Sequence, residues 1–346
     1  MPADASTFAC PPSLWQAVAA TSGHRWPPRS PEDVAEFVGA LEAQRLLALA
    51  ARDPGLPADV RQHAARRHAD DAARAERVVR EQDDVLTSLV DGLGGDWLAV
   101  NGADYRTRLY PASVLRPMSD VDILIRPGDI SDASRWLTSR GYEAMPQHPA
   151  SIDRGFRRPG ADHWVDLYEA FVQRQRTEVD YDEIWRGRII GPDRLPRLAP
   201  HHALAVHALR LANEQFVAPL RRFLDLWLLS RDEPTVRQAI DTARRWRIAR
   251  AMYSTMAVMR RLIPESAADP WRGEADALVG GAARRRLERA VLRGAPFAAL
   301  PSRPVQVWRK LLLLDTPAHR VRFVAAHAAV MARRAVDRER APADRA

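Results

Sequence analysis

RPMSDVDILIRP, residues Arg116 to Pro127, places two acidic side chains, Asp120 and Asp122, at the mouth of VDILI, the clearest strand in the chain. Residues two apart on a strand share a face. The two aspartates therefore point the same way, with Cα atoms about 6.5–7 Å apart at a rise of ~3.3 Å per residue. Val121, Ile123 and Ile125 face the opposite way, toward a core. Two carboxylates on one face repel, and burying them uncompensated is costly. Three arrangements account for such a pair: an acidic turn capping the strand, a D-x-D that holds a metal–sugar nucleotide, and a two-metal phosphoryl-transfer site. A divalent cation removes the repulsion, and Mg²⁺ takes carboxylate and water oxygens while bridging to substrate phosphates.

The surroundings of this stretch favour the third arrangement. In HWVDLYEAF, Asp166 lies mid-strand with Trp164 and Tyr168 on its face. If this strand pairs beside VDILI, three aspartates converge. That suits one metal for an attacking oxygen and one for a triphosphate, and Asp166 can also serve as a general base. WLAVNGADYRTRLY sets Asn101-Gly102 between a strand and a helix. Glycine lets backbone N–H groups approach a phosphate, and a helix N-terminus favours negative charge. Arg106, Arg108 and Arg116 are nearby cations, and Asn101, Gly102, Arg116 and Ser119 form the candidate nucleotide-binding set. A sugar-nucleotide fold needs several βα units before its D-x-D, whereas only DWLAV and one helix precede it within the α/β unit.

That unit runs from about residue 95 to 172 and alternates strands and helices. DWLAVNG is a short buried strand, ADYRTRLYP a helix stopped near Pro111, and GDISDASRWLTSRGYEAM a helix closed by Gly141 that leads to an edge strand. GFRRPG and DHWVDLYEAF read as two strands joined through Pro159-Gly160. Residues 1–30 read as loosely held, with one short helix around Leu14–Ala20. SPEDVAEFVGALEAQRLLALAARD reads as one helix capped by Ser30. A long polar helix follows, ending in the apolar stripe Val85, Leu86, Leu89, Val90 and Leu93 and stopping at Gly94-Gly95. Beyond about residue 198 the chain is helical again. The expected divisions are a helical region over 1–94, a core over 95–195, a helical domain over 196–335 and a frayed tail over 336–346.

Composition narrows the class. The 346 residues are 46% hydrophobic and 28% charged, as in ordinary globular proteins. The formal charge of +8 is a mild basic excess, compatible with an acidic partner or with a solvated surface. One cysteine, Cys10, excludes an internal disulfide and a cysteine-rich zinc site, and suits a reducing cytoplasm. The N-terminal MPADASTFACPPSLW lacks the pattern of a secretory signal, and no stretch approaches the roughly 18 apolar residues of a membrane span.

The order NG, YP, RPMSDVDILI, GY, H and VDLYE, followed by HHALAVHAL and RRFLDLWLL, resembles the uncharacterised nucleotidyltransferase family 5 group of the DNA polymerase β-like nucleotidyltransferase superfamily. The likeness covers roughly residues 30–260. It implies an α+β protein: a minimal nucleotidyltransferase α/β core with a mixed sheet, flanked by helical regions. It further implies Mg²⁺-dependent transfer of an NMP from an NTP, with Mn²⁺ as an alternative ion, to an acceptor that is a small molecule, a peptide or protein, or RNA. By motif, Asp120, Asp122 and Asp166 take the metal-ligand and catalytic roles, and Gly102 the phosphate-loop role. Two departures stand out: Asn101-Gly102 where the family usually reads Lys-Gly, and Tyr168 where Asp-Leu-His is usual. They favour an alternative, a non-catalytic nucleotide-binding or accessory protein that retains the fold. His207 and Asp225 match polar family positions without an assigned role. His148 sits before a strand, where it reads as structural or solvated or as approaching the site; His201, His202 and His207 form no zinc motif, and RRFLDLWLL reads as a packed helix with Arg221, Arg222 and Asp225 at its polar edge.

Overall fold

The computed structural model describes residues 10–70, 72–93, 96–146, 152–173, 177–264, 272–293 and 300–340, the last eleven by backbone only. Gly94-Gly95 and His148 lie outside the described residues. The N-terminal part forms α1 (Pro12–Ser22), α2 (Pro31–Ala43), α3 (Leu47–Ala50), α4 (Ala58–Asp70) and α5 (Ala72–Gly92). Ser30 caps α2 as expected: its Oγ accepts from Asp33 N at 3.1 Å, and the Asp33 carboxylate accepts from Ser30 N at 3.2 Å.

Two expectations for this part are corrected. Residues 10–22 are packed, with Leu14, Trp15 and Val18 fully buried. Asp53, itself buried, accepts from Trp15 Nε1 at 3.0 Å and from Cys10 N at 3.2 Å. The expected single helix also breaks after α2, where Arg45 adopts φ +58° and Leu46 N bonds Leu41 O. Leu46 is thereby driven into the core. Its apolar period continues across the break, so periodicity alone could not mark it.

The central unit comprises β1 (Trp97–Ala99), α6 (Gly102–Arg108), a 3₁₀ turn (Ser113–Leu115), β2 (Asp120–Ile125), α7 (Ile130–Ser139), β3 (Glu143–Ala144), β4 (Asp153–Arg157) and β5 (Trp164–Tyr168). Then come α8 (Tyr181–Arg186), β6 (Ile189–Ile190) and β7 (Pro196–Arg197). Among the described residues the sheet has seven strands in the order β3-β4-β5-β2-β1-β7-β6. β2 runs parallel to β5 and β1 parallel to β7, and the other neighbours are antiparallel. β6 and β7 were not legible in the sequence because two-residue strands carry no period. One face of the sheet, bearing Val121, Ile123, Val165 and Leu167, packs on α5 through Val85, Leu86 and Leu89 and on α7 through Ala133 and Leu137.

The opposite face packs Leu98, Val100, Leu124 and Tyr168 into a larger core. The C-terminal helices that share it begin with α9 (Pro200–Asn213), α10 (Leu220–Leu229), α11 (Glu233–Arg245) and α12 (Ala249–Leu262). There follow α13 (Arg272–Asp276), α14 (Gly281–Leu287), a π-helical segment (Glu288–Leu292), α15 (Arg303–Leu313) and α16 (Pro317–Arg340). Residues of α1, α2 and α3 belong to this same core. The two helical regions that the sequence separates therefore meet over the sheet. α16 includes residues 336–340 of the expected tail, and 341–346 lie outside the described residues. Among the described residues, no helix is long and apolar enough to cross a membrane.

Candidate functional site

Strand register assembles the acidic site. β2 and β5 pair so that Asp122 faces Asp166 directly and Asp120 faces Trp164. Each of Asp120, Asp122 and Asp166 offers a carboxylate oxygen, and these lie within 4.8 Å of one another. Asp122 and Asp166 are buried and Asp120 is half-buried. On the other side of β5, Gly155 of β4 faces Asp166. A Cβ there would stand 3.2 Å from Asp166 Oδ1, so a residue without a side chain leaves room for the carboxylate.

The crowded acids carry an electrostatic cost. Burial, then the charges of Asp122, Asp120 and Asp153, pushes the Asp166 carboxyl up to about 7. Burial also raises Asp122, and Asp120 adds to it, while Arg210, Asn101 and Tyr168 pull it back. Trp164 Nε1 donates to Asp166 Oδ2 at 3.2 Å, and Ser119 Oγ donates to Asp120 Oδ1 at 3.2 Å. Asp122 Oδ2 accepts from Asn101 Nδ2 at 2.9 Å. Asp122 Oδ1, however, is buried without a hydrogen-bond partner. A buried carboxylate oxygen without a hydrogen bond, on a residue clustered with two further carboxylates, fits a hard divalent cation, whose charge would relieve the repulsion.

The glycine turn is shaped from beneath. Asn101 holds φ +50° and ψ −123°, a conformation that non-glycine residues rarely adopt, and it opens α6. A Cβ on Gly102 would stand 2.6 Å from Arg116 Nη1 and 2.8 Å from Met118 Sδ, so any side chain there forces Arg116 and Met118 to move. Arg116 is buried and donates to Asp225 of α10 from Nε at 2.9 Å and from Nη2 at 2.6 Å. Tyr110 Oη donates to the same carboxylate at 2.8 Å. Arg221 donates to the Pro117 carbonyl, and Gln82 Nε2 of α5 donates to the Met118 carbonyl at 3.3 Å. The segment leading into Asp120 is thus pinned from both helical regions.

The three cations that the sequence sets near the phosphates are engaged in internal pairs. Arg106 is fully buried and bonded to Gln82 and Asp83. Arg108 pairs with Asp104 at 3.0 Å and donates to the Leu198 carbonyl. Arg116 is held by Asp225 rather than by Asp120. The cation beside the acids comes instead from α9, where Arg210 lies over the Tyr168 ring at 5.2 Å from its centroid. Burial disfavours its charge, but Asp122 and Tyr168 outweigh that and hold the guanidinium firmly protonated. Arg210 Nη1 is buried and has no hydrogen-bond partner. The one signal available for it was a lone arginine inside ALAVHALRLA, since a charge in an apolar helix needs a buried partner.

The histidines of α9 serve the helical packing. His207 Nε2 meets the Arg222 carbonyl at 2.8 Å, and its ring stands edge-on to Tyr105. His201 and His202 approach Glu183, but that carboxylate is already bonded by Arg245, by Trp246 and by His202 itself.

A mixed sheet that gathers three aspartates on one face beside a glycine turn is the arrangement expected of the nucleotidyltransferase class. The profile of the uncharacterised nucleotidyltransferase family matches residues 30–264. The chain belongs to that family. No curated protein matches it significantly.

Proposed function

We propose that this protein transfers an NMP from an NTP to an acceptor hydroxyl and releases pyrophosphate. The observation that carries the reading is the register match of Asp122 with Asp166, which brings three carboxylates together, one of whose buried oxygens makes no hydrogen bond. Asp120, Asp122 and Asp166 would hold Mg²⁺, or Mn²⁺ in its place. Bound there, the ion supplies charge neutralisation for the triphosphate and the attacking oxygen. The Gly102 turn offers backbone N–H groups to the phosphates. Arg210 Nη1 offers the unused charged donor that Asn101, in place of lysine, does not. The acceptor oxygen attacks the α-phosphorus, the bond to the β-phosphate bridging oxygen breaks, and the hydroxyl proton passes to the Asp166 carboxylate. Catalysis would rest on positioning and charge stabilisation. A small molecule, a peptide or protein, or RNA can supply the hydroxyl.

A second reading draws on Arg210, Asn101 and Tyr168, which pull the Asp122 carboxyl part of the way back against burial and Asp120 without a metal. A non-catalytic nucleotide-binding protein would need no more than that. Two measurements separate the cases. Thermal shifts with each NTP, with and without Mg²⁺, are expected to show Mg²⁺-dependent stabilisation in wild type and none in Asp120→Ala/Asp122→Ala; identical shifts would remove the metal site. Incubation with α-labelled NTPs and a lysate is expected to label an acceptor fraction. Mg²⁺-dependent binding with no labelled fraction under any NTP would favour the non-catalytic reading. In either case Arg210→Gln is expected to weaken NTP binding, with Arg210→Lys partly restoring it.

A further inference from the structure

The C-terminal helices line an open cleft of about 540 Å³. One wall is α12, which presents Tyr253, Ala257, Arg260 and Arg261. These positions fall on one helical face by their spacing. Asp276 at the end of α13, Arg284 and Arg285 of α14, and Glu288 at the start of the π-helical segment complete it. Its size suits a small ligand. Asp276, Arg284, Arg285 and Glu288 lie beyond the residues that the family profile matches.

Four guanidinium groups face two carboxylates, and both carboxylates are already engaged. Asp276 pairs with Arg260 at 2.9 Å and more distantly with Arg284 at 3.9 Å. Glu288 accepts the Tyr253 hydroxyl at 2.8 Å. Arg261 donates to the Leu292 carbonyl at 2.6 Å, which satisfies one N–H, and it has no ion-pair partner among the described residues. Arg260 Nη1 is buried with no hydrogen-bond partner. Arg285, exposed at the rim, has no ion-pair partner among the described residues. A solvated arginine face would spread such charges over a convex surface. Here two helices, α12 and α14, bring them to one concavity, with a net positive charge and donor groups left unused. Planar guanidinium forks match the oxygens of a phosphate.

We propose that this cleft binds a phosphate-bearing anion of two or more negative charges, separately from the aspartate triad and without a divalent metal. Two sources carry that chemistry: a free phosphate compound, and the terminal phosphate of an oligonucleotide.

The test is calorimetric titration of the full chain in EDTA, with inorganic pyrophosphate as one probe and a short oligonucleotide, with and without a 5′-phosphate, as the other. Wild type and Asp120→Ala/Asp122→Ala are expected to bind pyrophosphate equally. Arg285→Glu, at an exposed and unpaired position, is expected to weaken binding by about tenfold or more, the worth of a charge-assisted contact. Arg286→Glu makes the same charge change on the next, exposed residue and is expected to have little effect. Tighter binding of the 5′-phosphorylated oligonucleotide than of pyrophosphate or the unphosphorylated strand would assign the ligand to nucleic-acid ends. Pyrophosphate binding at least as tight would assign it to free phosphate compounds. No saturable binding in EDTA, binding lost in the triad variant, or equal losses in Arg285→Glu and Arg286→Glu would overturn the proposal. Because the triad variant is one arm, failure of the nucleotidyl-transfer reading leaves this result unaffected.

Discussion

Replacing Asp225 with asparagine tests whether the pair that joins α10 to the approach of β2 holds the site together. Asp225 is fully buried and accepts three hydrogen bonds, two from Arg116 and one from Tyr110. Burial alone would raise its carboxyl, but Arg116 outweighs it and the net displacement is downward. Asparagine keeps the volume, removes the charge and turns an N–H₂ group toward donors. Breaking a buried ion pair by removing one partner costs about 3–5 kcal/mol. The Tyr110 hydroxyl can keep the amide oxygen as acceptor, so no separate penalty is added for it. Against a total stability of about 5–15 kcal/mol, the variant folds but is severely weakened. Urea denaturation at neutral pH, read at unchanged m-value, measures the loss. Arg116→Met/Asp225→Leu replaces the pair with apolar groups and is expected to regain more than half of it, because such replacements are often neutral. The double variant still lacks the guanidinium beneath Gly102, so its NTP affinity should stay low although its stability returns. An Asp225→Asn loss below about 1 kcal/mol, the range of an exposed pair, would refute the reasoning. So would a double variant no more stable than the single one. In wild type the stabilisation is present above the ordinary carboxylate value and is lost as pH falls through the lower folded value.

Other outcomes follow from single contacts. Gly102→Ala sets a Cβ 2.6 Å from Arg116 Nη1, and is expected to cost about 1–3 kcal/mol by overpacking and to weaken NTP binding in the thermal-shift assay. In metal-free protein Asp166 is pushed up to about 7, so between the ordinary 3.8 and that value the folded state holds more protons than the unfolded one. Metal-free stability should therefore fall as pH rises through this window. Melting profiles should show Mg²⁺ removing that fall and Asp166→Asn flattening it; a wild-type profile already flat without metal would contradict the crowding. Ser30→Ala breaks the capping box of α2 and is expected to cost about 1 kcal/mol in urea denaturation, with NTP binding unchanged.

Much of the site was legible because it is local. Strand alternation alone put Asp120 and Asp122 on one face and Val121, Ile123 and Ile125 on the other, and β2 keeps that division. Ser30 with Asp33 wrote the start of α2 for the same reason: a cap is made by residues three apart. The helix drawn through Gln44 to Leu46 failed where local signal misleads. A non-glycine residue there takes a left-handed conformation that tertiary packing of Leu46 supports. The short helix expected around Leu14–Ala20 is present as α1, but its surroundings read as loosely held because its packing partners lie far along the chain, at Asp53 and among the C-terminal helices.

By itself the sequence determined the strand that carries the acidic pair and the glycine turn, which depend on residue type and short-range period, and its ordered motifs carried the resemblance that implied the family and the α+β class. Only the tertiary structure decided that Asp166 stands opposite Asp122, because strand register is a pairing between segments some forty residues apart. It alone showed that Arg106, Arg108 and Arg116 are taken up by internal partners while Arg210, on α9, lies over the Tyr168 ring beside the acids. A charge seeks the nearest counter-charge in space, and sequence distance does not measure that.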